Sequence, residues 1–395
     1  MKKLLVLAMI LVLAMPMFAE VTIFGEFDYY MVNGFESDGG DNGNSFVDKW
    51  DKGEVDFKGG IGDYSQIRIE LEEDGSWNRG RGTAPEGTPS FNYFRVITDW
   101  GKFFGLDGIT IKSDIGLNSY ETFDNVSFTG YCYEDADSTI FLGNPSTAKD
   151  FGAKLSLGFA DGLVQPYFAW NFDTVSENNG AHAATPDGEA TFLLGSGFDF
   201  NGMGLPLWFE AYYFKGTRED DNLFGVEAMY DLAIGDMDFK VGGHFINATA
   251  AHEAAGGNDD RGSSWGFGVA FSAFGAKIGA SCGGYFGEDL WGENSAFSVL
   301  GIDASYDILD WLAVNAGLSL AFGDFKETAA GDKTFQSFEA GVIVKPDKGV
   351  KYKLGYIYAE EDAVGNGGSL TTRTLNTKKL AGEKGGLYFV TQIDF

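Results

Sequence analysis

Segments in which apolar and polar side chains alternate recur along almost the whole chain. The clearest of them lie at residues 21–29, 67–72, 109–115, 151–159 and 350–356. Successive side chains of a β-strand point to opposite faces of the sheet, so each segment would carry one apolar and one polar face. This period of two predicts an all-β protein.

Eighteen such segments are separated by residues that favour turns. We expect strands at residues 21–31, 53–59, 65–73, 91–98, 108–119, 149–159, 163–173, 190–200, 207–217, 222–233, 237–247, 263–273, 276–286, 295–307, 312–322, 334–344, 350–359 and 385–395. A count of sixteen strands is the nearest alternative.

The connections between the predicted strands alternate between long and short. The long ones are expected at residues 32–52, 74–90, 120–148, 174–189, 248–262, 323–333 and 360–384, with shorter members at 218–221 and 287–294. The short ones carry Gly, Asp or Pro, as tight hairpin turns require. An even number of strands leaves both chain ends on the short-turn side. The pattern predicts a single closed, transmembrane, antiparallel up-and-down β-barrel with short periplasmic turns and long outer loops.

The composition agrees with a membrane barrel and excludes nucleic acid as a partner. Strands that alternate lipid-facing and lumen-facing residues keep the mean hydropathy near zero, and here it is −0.11. The 28 basic and 58 acidic residues give a formal net charge of −30, which repels phosphate. Aromatic residues near predicted strand ends, including Trp100, Trp208, Trp265 and Trp311, are candidates for girdles at the membrane interface.

The amino end has the pattern of a secretory signal peptide. Lys2 and Lys3 precede an apolar run at residues 4–13, and Ala19 offers a cleavage point before Glu20. The apolar run is short for a membrane span of about 20 residues, which is the alternative. We therefore expect a signal peptide at residues 1–19 and the barrel at residues 20–395.

The carboxyl end is an amphipathic segment that stops on an aromatic residue. Leu387, Phe389, Ile393 and the terminal Phe395 fall on one face of the expected last strand. This segment resembles the closing strand of bacterial outer-membrane barrels, where the final aromatic is the signal for the barrel assembly machinery. An ordinary edge strand that happens to end on Phe395 is the alternative.

The signal peptide, the alternation, the loop asymmetry and Phe395 together resemble the porins of Gram-negative bacteria, which have sixteen to eighteen strands. The resemblance is one of architecture and covers the whole mature chain. It implies passive diffusion of small hydrophilic solutes and ions across the outer membrane, often through a homotrimer, with outer-membrane lipid around the barrel. A barrel of about eighteen strands leaves an aqueous channel, which agrees with that function.

The third long connection, residues 120–148, occupies the position of the porin loop that folds into the lumen and narrows it. It carries the acidic residues Glu121, Asp124, Glu134, Asp135 and Asp137. The inward faces of the second to fifth strands are expected to carry the basic residues Lys58, Arg68, Arg95 and Lys112. Opposed charges would set a transverse field across the narrowest point. The porin loop motif Pro-Glu-Phe-Gly-Gly is absent here, and a solvated outer loop is the alternative.

Acidic residues are also expected on the inner wall. They are Glu26, Glu54, Asp56, Glu70, Asp114, Glu210, Glu227, Asp231 and Glu339. Together with the acidic loops they predict an electronegative mouth and a modest preference for cations.

Signals for catalysis, cofactors or metals are weak. The three histidines, His182, His244 and His252, are not grouped with a nucleophile, and no Ser lies in a Gly-x-Ser-x-Gly elbow that is followed by an acid and a His. Residues 37–44 offer hard oxygen ligands but lack the spacing of an EF-hand. We expect neither an enzyme nor a cofactor. The competing functions are a surface protein that binds host or matrix molecules through its outer loops, a soluble secreted β-rich protein, and a sugar channel with a ladder of aromatic residues.

Overall fold

The computed structural model describes residues 21–34, 45–73, 90–118, 120, 122, 150–172, 190–215, 222–248, 261–288, 295–324, 332–359 and 386–394. The expected signal peptide at residues 1–19 lies outside these ranges. No helix in the described part of the chain is long and apolar enough to cross a membrane.

Eighteen antiparallel strands form one sheet, in which each strand pairs with its neighbours in the chain. The strands are β1 Val21–Gly34, β2 Ser45–Ile61, β3 Ser65–Glu73, β4 Ser90–Asp99, β5 Ile109–Asn118, β6 Asp150–Phe159, β7 Val164–Phe172, β8 Ala190–Asp199, β9 Leu207–Lys215, β10 Asn222–Ile234, β11 Met237–Ala248, β12 Arg261–Ala273, β13 Ala276–Glu288, β14 Ser295–Leu309, β15 Leu312–Asp324, β16 Asp332–Asp347, β17 Val350–Ala359 and β18 Gly386–Asp394. One short helix, α1 Trp100–Phe104, follows β4.

The sheet closes on itself through the first and last strands. β1 pairs with β2 on one side and with β18 on the other, in a register that runs from Glu26–Asp394 to Gly34–Gly386. Each described strand therefore has a hydrogen-bonded partner on both sides. Closure satisfies the backbone N–H and C=O groups that an open edge would leave unpaired in hydrocarbon.

All eighteen predicted strands and the closed barrel are confirmed. The start of β2 was predicted wrongly, because the structure begins this strand at Ser45 and the sequence pattern suggested residue 53. A β-bulge explains the difference. Asp28 pairs with Lys52 and Tyr29 pairs with Trp50, so Asp51 is an extra residue on β2. An extra residue shifts the phase of the alternation and hides the first half of the strand from a period-two pattern.

The two faces of the wall have opposite polarity. Large apolar side chains are exposed on the outer face, among them Ile23, Phe94, Ile115, Leu194, Phe224, Phe267, Ile302, Leu318 and Leu354. Polar and charged side chains are buried on the inner face, among them Asp56, Glu70, Asn171, Glu210, Glu227, Asp303, Asn315, Glu339, Lys353 and Gln392. A soluble barrel would have the reverse arrangement, since an apolar belt of this size is unstable in water. The outer face is therefore the lipid-facing surface of a transmembrane barrel.

Glycines on the inner face leave room for rings from the neighbouring strand. Tyr167 pairs with Gly195, and Tyr212 pairs with Gly225. A Cβ atom at either glycine would overlap the tyrosine ring that lies above it. These glycines are needed for close packing, because the rings would otherwise have to point straight into the lumen.

We expect Gly225→Ala to destabilise the folded barrel by about 1–3 kcal/mol, because the added methyl group displaces the Tyr212 ring. The change is measured as the shift in the urea concentration at which half of the reconstituted barrel is unfolded. The folded fraction is read from the compact band that the folded barrel gives in SDS gel electrophoresis of unheated samples. Gly202→Ala is the matched control, since nothing lies within 4 Å of the position its Cβ would take. Equal midpoints for the two variants would contradict this packing.

Candidate functional site in the lumen

Basic side chains are concentrated on the inner face of the first part of the barrel. Lys58 on β2 pairs with Arg68 on β3, and Arg68 pairs with Arg95 on β4. Three positive charges therefore follow one another across adjacent strands. Lys112 on β5 lies on the same face, two rows away from Arg95, and is exposed to the lumen.

A tyrosine links this basic row to an acidic residue. The hydroxyl of Tyr93 on β4 donates a hydrogen bond to Asp56, which lies two strands away on β2. Arg68 donates to the Tyr93 hydroxyl at 3.0 Å, and its guanidinium lies 3.8 Å from the Asp56 carboxylate. The guanidinium of Arg95 also lies over the Tyr93 ring, with its Cζ atom 4.7 Å from the ring centroid. These contacts hold both guanidinium groups against the wall.

A second ion pair lies beside the first. Arg95 donates a hydrogen bond of 2.9 Å to the carboxylate of Asp114 on β5. Lys154 on β6 pairs in register with Asp114, and its ammonium lies 4.6 Å above the ring of Tyr167. The inner wall from β2 to β7 is therefore a continuous network of charges and tyrosine rings.

The remainder of the wall carries further buried acidic residues. Glu210 on β9 is fully buried and accepts a hydrogen bond from Tyr167, whose ring reaches across β8 above Gly195. Glu210 pairs in register with Glu227, which pairs with His244. Further round, Asp303 and Glu339 flank Gly317 and are buried on the same face. Buried acidic groups thus lie on the inner face of β9, β10, β14 and β16.

Tyr120, at the root of the third long connection, lies inside the barrel. Its side chain is 2% exposed and packs with Tyr167, Ala169, Leu193 and Tyr212, which belong to the inner face of β7 to β9. The Tyr120 hydroxyl donates to the backbone oxygen of Asp114 at 3.0 Å. Burial, and then the negative charge of Asp114, raise the pKa of this hydroxyl, which therefore remains a neutral donor.

Three carboxylates on β2 and β3 come close together. One oxygen from each of Glu54, Asp56 and Glu70 lies within 4.8 Å of the others, a spacing that a cation could bridge. Arg68 already supplies a positive charge at Asp56. The group is therefore explained as part of the charge network of the wall.

The structure places Lys58, Arg68, Arg95 and Lys112 on the inner face, and their part in a constriction stays a prediction. The loop residues expected to oppose them, Glu121, Asp124, Glu134, Asp135 and Asp137, lie outside the described residues, as does Phe395. The prediction of a position in the membrane interface is wrong for Trp208, because its side chain is buried on the inner face of β9. Trp100, Trp265 and Trp311 are exposed.

Several residues of the inner network were not singled out by the sequence. Lys154, Tyr120 and Asp303 were not named as candidates, although the alternation on β6 and β14 would have placed Lys154 and Asp303 inward. Tyr120 lies beyond the end of β5, so the alternation of the strand could not predict on which side of the wall its side chain lies. The tyrosine–carboxylate pairs join residues two strands apart, which no local pattern encodes.

The fold is that of solved outer-membrane channels. OccK2 (OpdF) of Pseudomonas aeruginosa, solved in complex with glucuronate, matches with a TM-score of 0.63 and 9% identity over 96% of this chain and 99% of that chain. OccAB3 of Acinetobacter baumannii matches with a TM-score of 0.58 and 11% identity over 95% and 99% of the two chains. No family model and no curated protein matches the sequence.

This chain has the architecture of an outer-membrane porin. At such low identity the porin likeness extends to the fold alone. The residues that line the lumen of this barrel must therefore be understood from their own contacts.

We expect cysteines on the two faces of β5 to differ in reactivity in membranes. In a background in which Cys132 and Cys282 are serine, Lys112→Cys should react rapidly with a charged, water-soluble thiol reagent. Ile115→Cys on the outer face should react much more slowly, because lipid covers it. Both should react alike once the protein is unfolded in hot detergent. Rapid labelling of position 115 and slow labelling of position 112 would contradict the assignment of the faces.

Proposed function

We propose that the protein is an outer-membrane porin through which small hydrophilic solutes and ions diffuse passively. In this proposal residues 1–19 direct export and are removed, and the barrel assembly machinery reads the last strand with Phe395. Outer-membrane lipid surrounds the barrel, and three copies associate as a homotrimer. The protein is a channel and carries out no catalytic reaction.

One observation carries the proposal, namely the inverted polarity of the wall. Charged residues such as Asp56, Arg68, Glu210 and Glu339 line the inside of a barrel whose outer face is apolar. Buried charges need partners or water, and a lumen lined in this way favours a path for hydrated solutes. The solved channels of the same fold support the same function, and one of them was solved with a small organic acid, glucuronate.

The proposal includes a constriction formed by residues 120–148. Support comes from Tyr120, which directs the first residues of this connection toward the inner face of β7 to β9. Thr122, two residues further on, is also buried. Acidic residues of the loop would then oppose Lys58, Arg68, Arg95 and Lys112 across the narrowest section.

The proposal also includes a modest preference for cations. It is supported by the formal net charge of −30 and by the buried acidic groups of β9, β10, β14 and β16. The basic row on β2 to β5 works against it. That row is partly neutralised by Asp56 and Asp114, which pair with Arg68 and Arg95.

Planar-bilayer recordings of the purified protein test the proposal. We expect stable conductance steps and a reversal potential of cation-selective sign in a KCl gradient. Glu227→Gln combined with Glu339→Gln should move that potential toward zero, because two negative charges leave the lumen. Asp107→Asn, in the exposed turn after α1, is the control and should leave it unchanged. A silent bilayer would contradict channel function and favour a surface protein that binds through its loops, whereas anion preference would contradict only the selectivity.

A second prediction concerns the root of the loop. Tyr120→Ala removes the ring that packs on Tyr167 and Leu193, so we expect the loop to move away from the wall and the single-channel conductance to rise. Tyr120→Phe keeps the ring and should have a smaller effect. Tyr213→Phe, on the outer face of β9, is the matched control. Unchanged conductance in the alanine variant would contradict a constriction held at this point.

A further inference from the structure

A recess in the inner wall lies between β14 and β16. Its floor is Gly317 on β15, which pairs in register with Asp303 on β14 and with Glu339 on β16. A Cβ atom at position 317 would lie 3.4 Å from the Cγ atom of Glu339, 3.8 Å from its Oε1 atom and 3.6 Å from the Cβ atom of Asp303. The two acidic side chains therefore lie on either side of a position that has no side chain of its own.

Both acidic side chains of the recess are buried, since Asp303 is 7% exposed and Glu339 is 5% exposed. Across the described strands β13 to β16, their row consists of Gly279, Asp303, Gly317 and Glu339 and contains no basic residue. Lys277 lies one row further along β13 and is exposed. Two buried carboxylates of the same sign are stabilised by a positive charge that both can contact.

A buried amide lies beside the acidic pair. Asn315 precedes Gly317 by two positions on β15, so it lies on the same face, and it is 6% exposed. Within the described part of the chain its Oδ1 atom has no hydrogen-bond partner. This atom would lie 3.0 Å from a Cβ atom at Gly341, which follows Glu339 by two positions on β16. Asn315 therefore directs an unused oxygen between β15 and β16, beside Glu339, and a buried acceptor of this kind favours a ligand.

Hydroxyl groups border the recess on both sides. The Tyr388 hydroxyl of β18 reaches across Gly355 on β17 and would lie 2.8 Å from a Cβ atom at Gly341. On the side of β13, the Ser281 Oγ atom would lie 3.3 Å from a Cβ atom at Gly301. The polar groups around the recess thus include carboxylate, amide and hydroxyl oxygens.

We propose that the recess binds a divalent metal cation, with the carboxylates of Asp303 and Glu339 and the amide oxygen of Asn315 as its ligands. Carboxylate and amide oxygens are the protein ligands that Ca²⁺ and Mn²⁺ prefer, and water completes their coordination. The two carboxylates balance the charge of the ion. The inference rests on the proposed function only for the path through the lumen, and it assigns a bound ion to one place on the wall.

The carboxylates of β2 and β3 are different, although their oxygens also lie close together. Asp56 accepts a hydrogen bond from Tyr93, and the Arg68 guanidinium lies 3.8 Å from its carboxylate. A cation there would compete with a guanidinium that is already in contact with the acidic group. The recess over Gly317 combines two carboxylates with an amide oxygen that has no partner among the described residues, and we therefore assign the ion to it.

Paramagnetic Mn²⁺ locates the site in the folded protein. The chain is isotope-labelled at its alanine methyl groups and placed in phosphatidylcholine nanodiscs. Ala316 lies between Asn315 and Gly317, so its methyl signal should broaden with a dissociation constant of about 0.1–1 mM. Ala169 on β7, nine strands from β16 round the ring, is the reference and should keep its line width. Ca²⁺ should restore the Ala316 signal, because both ions use the same oxygens.

Substitutions identify the ligands. Asp303→Asn combined with Glu339→Gln removes both charges and keeps the shapes of the side chains, so half-maximal broadening at Ala316 should need at least about tenfold more Mn²⁺. Asn315→Leu is the second variant if the first fails to fold, and it should weaken binding in the same direction. Glu227→Gln removes a buried carboxylate of β10 and is the matched control, which should leave the required Mn²⁺ concentration unchanged.

The outcomes separate the metal site from the channel. Selective broadening at Ala316 that the double variant loses supports the site. Equal broadening at Ala316 and Ala169 would overturn it, because the ion would then be spread through the lumen, and so would selective broadening that survives the double substitution. The measurement needs no current, so a silent channel that binds Mn²⁺ contradicts the proposed function and leaves the site in place. A conducting channel whose Ala316 signal is unaffected contradicts the site alone.

Discussion

Backbone hydrogen bonding round a complete ring is the constraint on which the rest of this structure depends. A strand in hydrocarbon has no water to satisfy its N–H and C=O groups, so a sheet there is stable only without edges. The pairing of β1 with β18 removes the last edge. Once the ring is closed, each residue faces either lipid or the lumen, and the period of two in the sequence decides which.

The inner wall shows how a barrel accommodates charge inside. Tyr93 and Tyr167 each reach across one strand to donate to a carboxylate on the next, Asp56 in one case and Glu210 in the other. The same device therefore ties strands together on two sides of the barrel. The guanidinium groups of Arg68 and Arg95 lie over the Tyr93 ring, and the ammonium of Lys154 lies over the Tyr167 ring. These contacts hold positive charge at defined positions along the inner wall.

The sequence predicts the strands and the polarity of each face because both follow from a local period of two, and it predicts closure from the alternation of long and short connections. It fails where the period is broken, as at Asp51, where one extra residue shifts the phase and hides the start of β2. It also fails where contacts cross strands, so the link between Tyr93 and Asp56 could not be anticipated. α1 was missed because five residues are too few to show a helical period, although Asp99 and Gly105 are ordinary capping residues.

Contacts between lipid and side-chain methyl groups test the central claim most directly. β15 and β16 offer matched methyl groups, since Val314 and Val342 face outward while their chain neighbours Ala313 and Ile343 are buried on the inner face. In nanodiscs, nuclear Overhauser effects from the acyl-chain methylenes should reach Val314 and Val342 and be absent at Ala313 and Ile343. Acyl-chain contacts at Ala313 and Ile343, with none at the two valines, would contradict an inverted barrel.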